Sequence, residues 1–347
     1  MPDPMLTEPA TKAKESAFQR LLDGDVAVLA RAISLLETGG TDSEVLTNRL
    51  RNHTGSARVV AFTGPPGAGK STLINAYVAE LRRRGHRVAV LAVDPSSPLT
   101  GGAVLGDRTR MGEHSADAGV FIRSVASRGH LGGLASSIPA ILDAVDAAGW
   151  QIIVLETVGA GQSETEIAEI ADVNVVLNAP GLGDDVQAIK AGILEIADIL
   201  VVNKCDLPHA DRTVRQLQSM LQLRKAERRN IPILSTSADR AEGICELSDA
   251  ISARIEDAKK VSQEQYRRRR LKGLLCRRAE AIVRNRLSSL SEADADRILE
   301  QVSQGKLSIE TATEALIATV FSAVPSPYPQ QVLNPKDDDP DNWDCGF

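Results

Sequence analysis

Apolar residues along this chain follow two different periods. From about Lys12 to His53 they recur at helical spacing, with Phe18, Leu21 and Leu22 followed by Val28, Leu29, Ile33 and Leu36. That spacing predicts helices, with Asp25 and Asp42–Ser43 as the caps between them. From Val59 to about Ile255 the pattern changes to short β-branched runs: VVAFT, RVAVLAVD, VFIRSV, QIIVLE, VNVVLN, ILVVNK and IPILSTS. Helical stretches separate them. Strands alternating with helices predict an α/β fold, a mostly parallel central sheet covered on both faces. Ligands of such sheets sit beyond the carboxyl ends of the strands.

After about Lys259 the strand pattern stops. QEQYRRRRLKGLLCRRAEAIVRNRL carries a stripe of Leu271, Leu274, Leu275, Ala279, Ile282 and Val283 on a very basic helix. Two more helices are expected, capped by Ser291 and Ser308, the second with Ile309, Ala312, Leu316 and Val320 on one face. So few helices cannot build a core alone and should pack on the nucleotide domain or on a second copy of themselves, of which the second, a dimerisation arm, is expected. The Pro- and Asp-rich stretch from Pro325 to Phe347 reads as a flexible acidic tail. The expected division is an N-terminal helical extension over 1–55, a nucleotide domain over 56–258, a helical arm over 259–324 and the tail over 325–347.

Chemistry enters at Gly64-Pro65-Pro66-Gly67-Ala68-Gly69-Lys70-Ser71-Thr72, between an apolar run and a helix-compatible one. It fills the pattern G-x-x-x-x-G-K-[ST] with Gly64, Gly69, Lys70 and Ser71. Glycines let several N–H groups converge on one anion, and the helix behind adds the positive end of its dipole. Lys70 is expected on the β and γ phosphates and the Ser71 hydroxyl on Mg²⁺.

Asn203-Lys204-Cys205-Asp206 follows the apolar run ILVV. A strand-end N-K-x-D turn reads guanine: Asp206 would accept from the ring N1–H and the exocyclic amine, donors that adenine does not present together. Asn203 and Lys204 would brace the loop, and Ser237-Ala238 fits a further base-contacting loop. These favour GTP over ATP. QIIVLETVGAGQSE ends a strand in Glu156 and continues to Gly159, where GTPases place D-x-x-G, an acid on Mg²⁺ and a glycine N–H sensing the γ-phosphate. Asp94 also ends a strand and could orient water, while Asp107 lies in a Gly-rich segment suited to movement. Arg108 is a candidate for charge stabilisation, with a structural salt bridge as the other reading.

Composition narrows the setting. Hydrophobic residues make up 43% of the chain and the net charge is −6, which gives no general reason to bind nucleic acid or anionic membrane. The arginine run lacks interleaved aromatics and reads as a solvated or partner-binding face. No apolar run approaches the ~18 residues that span a bilayer. The first residues lack the apolar stretch of a secretory signal and the Arg-rich character of a transit peptide, so a cytoplasmic setting is expected. Cys205, Cys245, Cys276 and Cys345 show no metal-ligand spacing and read as reduced thiols, and the five histidines form no ligand cluster.

Taken together, GPPGAGKSTL, VLAVDPSSPLTGGAVLGDRTRM, FIRSVASRGHLGGLA, ETVGAGQSE, GLGDDVQAIKAGILEIADILVVNKCD and STSA closely resemble the MeaB/ArgK/MMAA family of GTPases. The resemblance runs from about Arg58 to Ile255, and QVSQGKLSIETATEAL resembles the family's C-terminal helices more loosely. It implies a P-loop NTPase of the signal-recognition (SIMIBI) type, a homodimer formed through the C-terminal arm. It further implies a chaperone that gates adenosylcobalamin delivery to a B12-dependent acyl-CoA mutase, with the cobalamin held by the partner and an adenosyltransferase as a further partner in loading. The resemblance puts Lys70 and Ser71 on phosphate and Mg²⁺, and Asp94, Asp107 and Glu156 around Mg²⁺ and water. Gly181 to Lys190 would form a third switch, Gln187 and Lys190 engaging nucleotide when the partner is bound. Other readings are a nickel-insertion GTPase, a kinase, and a non-catalytic scaffold switched by nucleotide.

Overall fold

The computed structural model describes residues 16–94, 112–114, 116–126, 137–157, 167, 170–181, 195–222, 231–259 and 292–322, with single positions at 275, 279, 282–283 and 286–287. Two compact units divide the chain, Met1–Leu274 and Leu275–Phe347.

The first unit is built on seven strands: β1 (Arg58–Thr63), β2 (Val88–Asp94), β3 (Val120–Ala126), β4 (Ile152–Thr157), β5 (Val173–Asn178), β6 (Ile199–Val202) and β7 (Ile233–Ser235). They are ordered β3-β2-β4-β1-β5-β6-β7, and all six pairings are parallel. Because β4 returns between β1 and β2, its carboxyl end lies beside the turn that leaves β1. Phe62 pairs with Glu156 in that register.

Side chains alternate across each strand, and the sheet sorts them into two cores. Val59, Ala61, Leu91, Ile153 and Leu155 share one core with Leu29, Ile33, Leu50, Ile141 and Trp150. That layer comes from α1 (16–22), α2 (Val26–Thr38), α3 (Thr41–Leu50) and α5 (Ile138–Ala147). Val60, Phe62, Val90, Val154 and Val175 face the other core with Leu73, Tyr77, Leu247 and Ile251, supplied by α4 (Lys70–Arg83) and α7 (Ile244–Lys259). A smaller cluster packs Val176, Leu200 and Val202 against Leu217 and Leu221 of α6 (Ala210–Gln222).

Asp25 caps α2, its carboxylate accepting from the N–H groups of Ala27 and Val28. The expected cap at Asp42–Ser43 is corrected: α3 already starts at Thr41 behind Gly40, with no side-chain cap. Gly40, at φ 88°, can take the left-handed turn that a capping Asp takes only with strain. Asp42 then sits in the first turn, where it complements the helix dipole. Asp146 is buried and accepts from the N–H groups of Gly55 (2.5 Å), Ser56 (3.2 Å) and Ala57 (2.9 Å), fixing the chain as it enters β1.

In the second unit α8 (Glu292–Ser303) packs on α9 (Ile309–Ser322). Ser308 caps α9, its hydroxyl accepting from the Thr311 N–H at 3.1 Å. Ser291 lies outside the described residues. No helix among the described residues is long and apolar enough to cross a membrane.

Candidate functional site

Beyond Thr63 the chain turns through Gly64 (φ 148°), Gly67 (φ 81°) and Gly69 (φ 85°). Two of these glycines are demanded by close approach. A Cβ on Gly64 would stand 2.4 Å from the Leu177 carbonyl oxygen, and one on Gly69 would stand 2.6 Å from Asn203 Nδ2. Between them the Ala68 N–H donates to the Pro65 carbonyl at 3.3 Å, closing the loop past Pro66. Helix α4 then opens at Lys70, so its N-terminal N–H groups and dipole face the loop.

Lys70 is buried, and its ammonium folds back to donate to the carbonyls of Gly64 (2.8 Å) and Pro65 (3.2 Å). Ser71 Oγ donates to Glu156 Oε1 at 2.5 Å, while Thr72 is exposed. Glu156 lies in β4, nine-tenths buried, at the height of the phosphate loop because of the Phe62 pairing. A hydroxyl and a carboxylate oxygen together form a hard, anionic donor set of the kind that suits Mg²⁺. Asp94 ends β2 one residue past the Val93–Thr157 pair, on the same edge of the sheet. Its side chain lies outside the described ones, as do Asp107, Arg108, Gly159, Gln187 and Lys190 altogether.

The Asn-Lys-x-Asp turn leaves β6 next to β7. Asn203 is buried and works in two directions. Its Nδ2 donates to the Ala68 carbonyl at 2.9 Å, and its Oδ1 accepts from Thr236 Oγ1 (3.1 Å) and the Ala238 N–H (3.3 Å). Lys204 takes φ 57°, a left-handed conformation unusual for a side-chain-bearing residue, and its ammonium donates to the Gly67 carbonyl at 2.8 Å. Asp206 Oδ1 accepts from Ser237 Oγ at 2.8 Å, and Arg240 Nη2 stands 3.6 Å from Oδ2. The Ser237 hydroxyl first, with Arg240 and Lys204 adding charge, holds the Asp206 carboxyl below the ordinary carboxylate range. It is therefore an ionised acceptor at neutral pH. Burial pushes the Cys205 thiol up, with Glu242 and Asp206 adding to the shift, so it stays protonated.

The structure thus joins the phosphate loop, Glu156, the Asn203–Asp206 turn and Ser237–Ala238 along one sheet edge. Sequence reasoning gave no role to Thr236 or Arg240. Thr236 carried a usable signal, a hydroxyl directly after a strand and beside Ser237; Arg240 carried none.

An anion cradle at a helix start, tied by side chains to an acidic turn that presents a carboxylate, is the working arrangement of P-loop GTPases. The chain has that architecture. A family model described as methylmalonyl Co-A mutase-associated GTPase MeaB matches residues 29–296, and the chain belongs to that family. A Pyrococcus abyssi protein named as a GTPase is 39% identical over 313 residues, 88% of this chain and 97% of the relative. The Mus musculus protein named methylmalonic aciduria type A homolog, mitochondrial, is 38% identical over 265 residues, 71% of this chain and 64% of the relative. Among solved structures, a LAO/AO transport system kinase superposes with a TM-score of 0.68 at 28% identity, over 88% of this chain and 97% of that one. The chain is a GTPase that binds guanine nucleotide.

Proposed function

We propose that this GTPase serves as a chaperone that gates delivery of adenosylcobalamin to a B12-dependent acyl-CoA mutase, methylmalonyl-CoA mutase or a close relative, and protects the mutase from damaged cofactor. The observation that carries this reading is the match over residues 29–296 to a family described by its association with that mutase. The name of the mouse relative agrees with it. The cobalamin would stay on the mutase, with an adenosyltransferase upstream in loading. A homodimer fits the exposed Leu299, Ile309 and Ile317 of the C-terminal helices.

At the site, the phosphate-loop N–H groups and Lys70 would hold the β and γ phosphates, and Asp206 would accept from the guanine N1–H and amine. Ser71 and Glu156 would hold Mg²⁺, joined by Asp94 and Asp107. Bound there, Mg²⁺ supplies charge neutralisation for the phosphates. Water then attacks the γ-phosphate in line, and Lys70 and the backbone donors stabilise the charge that develops. Gly159 would sense the γ-phosphate, and Gln187 and Lys190 would engage nucleotide once the mutase is bound. Among the described residues nothing near the loop is a strong base, so intrinsic turnover is slow and the mutase accelerates it by ordering these segments. Measuring GTP turnover with and without the cognate apo-mutase tests this: a rise of about tenfold or more is expected, and equal rates would overturn the partner reading.

A further inference from the structure

Two hydroxyls lie directly beneath the site in β1 and β4, strands whose other residues are apolar except Arg58 and Glu156. Thr63 is the last residue of β1 before Gly64, and Thr157 is the last residue of β4 after Glu156. Both are buried, at 3% and 1% exposure. Thr157 Oγ1 donates to Thr63 Oγ1 at 3.0 Å and approaches the Phe62 carbonyl at 3.4 Å. This bond therefore crosses from the strand that launches the phosphate loop to the strand that carries Glu156, one residue beyond the Phe62–Glu156 pair. One step above it, Ser71 and Glu156 meet at 2.5 Å.

We infer that Thr63 and Thr157 are positioning residues: their hydrogen bond sets the spacing of the two strand ends, and so the geometry with which Ser71 and Glu156 receive Mg²⁺. Valine at both places would fill the same volume, and replacing both partners of a buried hydrogen bond with apolar groups of like shape costs little stability. Core packing alone therefore gives no reason for a hydroxyl pair at this place. What the pair adds is direction. Two valines can slide past each other, whereas a hydroxyl pair has one preferred distance and angle.

The inference rests on the magnesium reading above, and the test separates the two. Release of mant-GDP from the full chain is followed over a series of MgCl2 concentrations and in EDTA, for wild type, Thr63→Val/Thr157→Val, Thr63→Ser/Thr157→Ser and Ser71→Ala. The valine pair should need roughly three- to tenfold more Mg²⁺ for half-maximal retention, the worth of one buried hydrogen bond, with release in EDTA unchanged within about twofold. The serine pair, which keeps both hydroxyls, should follow wild type. A valine pair with wild-type Mg²⁺ dependence, while Ser71→Ala loses it, overturns the positioning role alone. Wild-type release that ignores Mg²⁺ overturns the magnesium reading and this inference with it. Should the valine pair not fold, Thr63→Val breaks the same bond and is read in the same assay against the same outcomes.

Discussion

Asp206 illustrates how much of base recognition one carboxylate can hold. Its Oδ1 is already oriented by Ser237, and its ionised state is favoured by that hydroxyl and by Arg240. An amide in its place would set a donor against a guanine donor. Asp206→Asn should weaken GDP binding by about a hundredfold and strengthen xanthosine diphosphate relative to it, since the base then presents an acceptor. Competition of the two nucleotides for the variant, followed by calorimetry, reads both effects. Gly69 belongs to the same scale. Alanine there meets a left-handed backbone and an Asn203 amide 2.6 Å from its Cβ, so Gly69→Ala should lower GDP affinity about tenfold or more. Titration of mant-GDP fluorescence checks it, and undiminished affinity would contradict the close approach. At this scale the sequence was most readable where chemistry needs a fixed residue type at a fixed spacing, as with Lys70, Ser71 and Asn203. Arg240 was not readable because it acts through a neighbour 34 positions away, and Thr236 showed only as a hydroxyl after a strand, its partner lying 33 positions away; the β6–β7 pairing creates both relations.

Elements are held in place by a few polar anchors at their ends. Asp146 in α5 takes three N–H groups of the segment that enters β1, and Asp146→Ala removes this acceptor from all three, two of them, Gly55 and Ala57, in a buried setting. Chemical denaturation should show a loss of about 2–4 kcal/mol. A loss under about 0.5 kcal/mol, the range of neutral surface changes, would contradict this anchoring. Helix α4 has a second anchor at its far end. Glu80 is buried and accepts from Arg83 and Arg84, and Arg84 continues to Asp249 of α7. Those arginine hydrogen bonds lower the Glu80 carboxyl from its ordinary 4.5 to about 2. Its stabilising effect is therefore full above 4.5 and is lost as pH falls toward 2. Wild type and Glu80→Gln compared by urea denaturation should differ most near pH 6, draw together below 4.5 and converge only below about pH 2. A gap that widens on acidification would reverse the sign argued here. The strands were legible as apolar β-branched runs because burial on both faces of the central strands confines polar residues mostly to their ends. The cap of α3 was not legible, since a glycine able to turn left-handed displaces the Asp cap by two residues.

For the whole molecule, the order β3-β2-β4-β1-β5-β6-β7 matters more than any single contact. Sequence pattern fixed strand number and parallelism, but not the insertion of β4 between β1 and β2, because the period of a strand says nothing of its neighbours. Every contact described for the nucleotide site also lies within residues 62–242, inside the first unit. Removing 275–347 should therefore leave GDP affinity within about threefold of the full chain, by calorimetry. A loss of binding would mean that the second unit completes the site.

The same strand order has a consequence for synthesis on the ribosome. Ser71 meets its carboxylate 85 residues later in the chain, and the carbonyl of Gly67 meets Lys204 137 residues later. A nascent chain that has emerged only as far as β3 carries the full phosphate loop and none of its distant partners. Guanine selection becomes available only after Ser237 has left the exit tunnel. The nucleotide can then favour only molecules that have passed β7, and its capture marks the completion of the sheet.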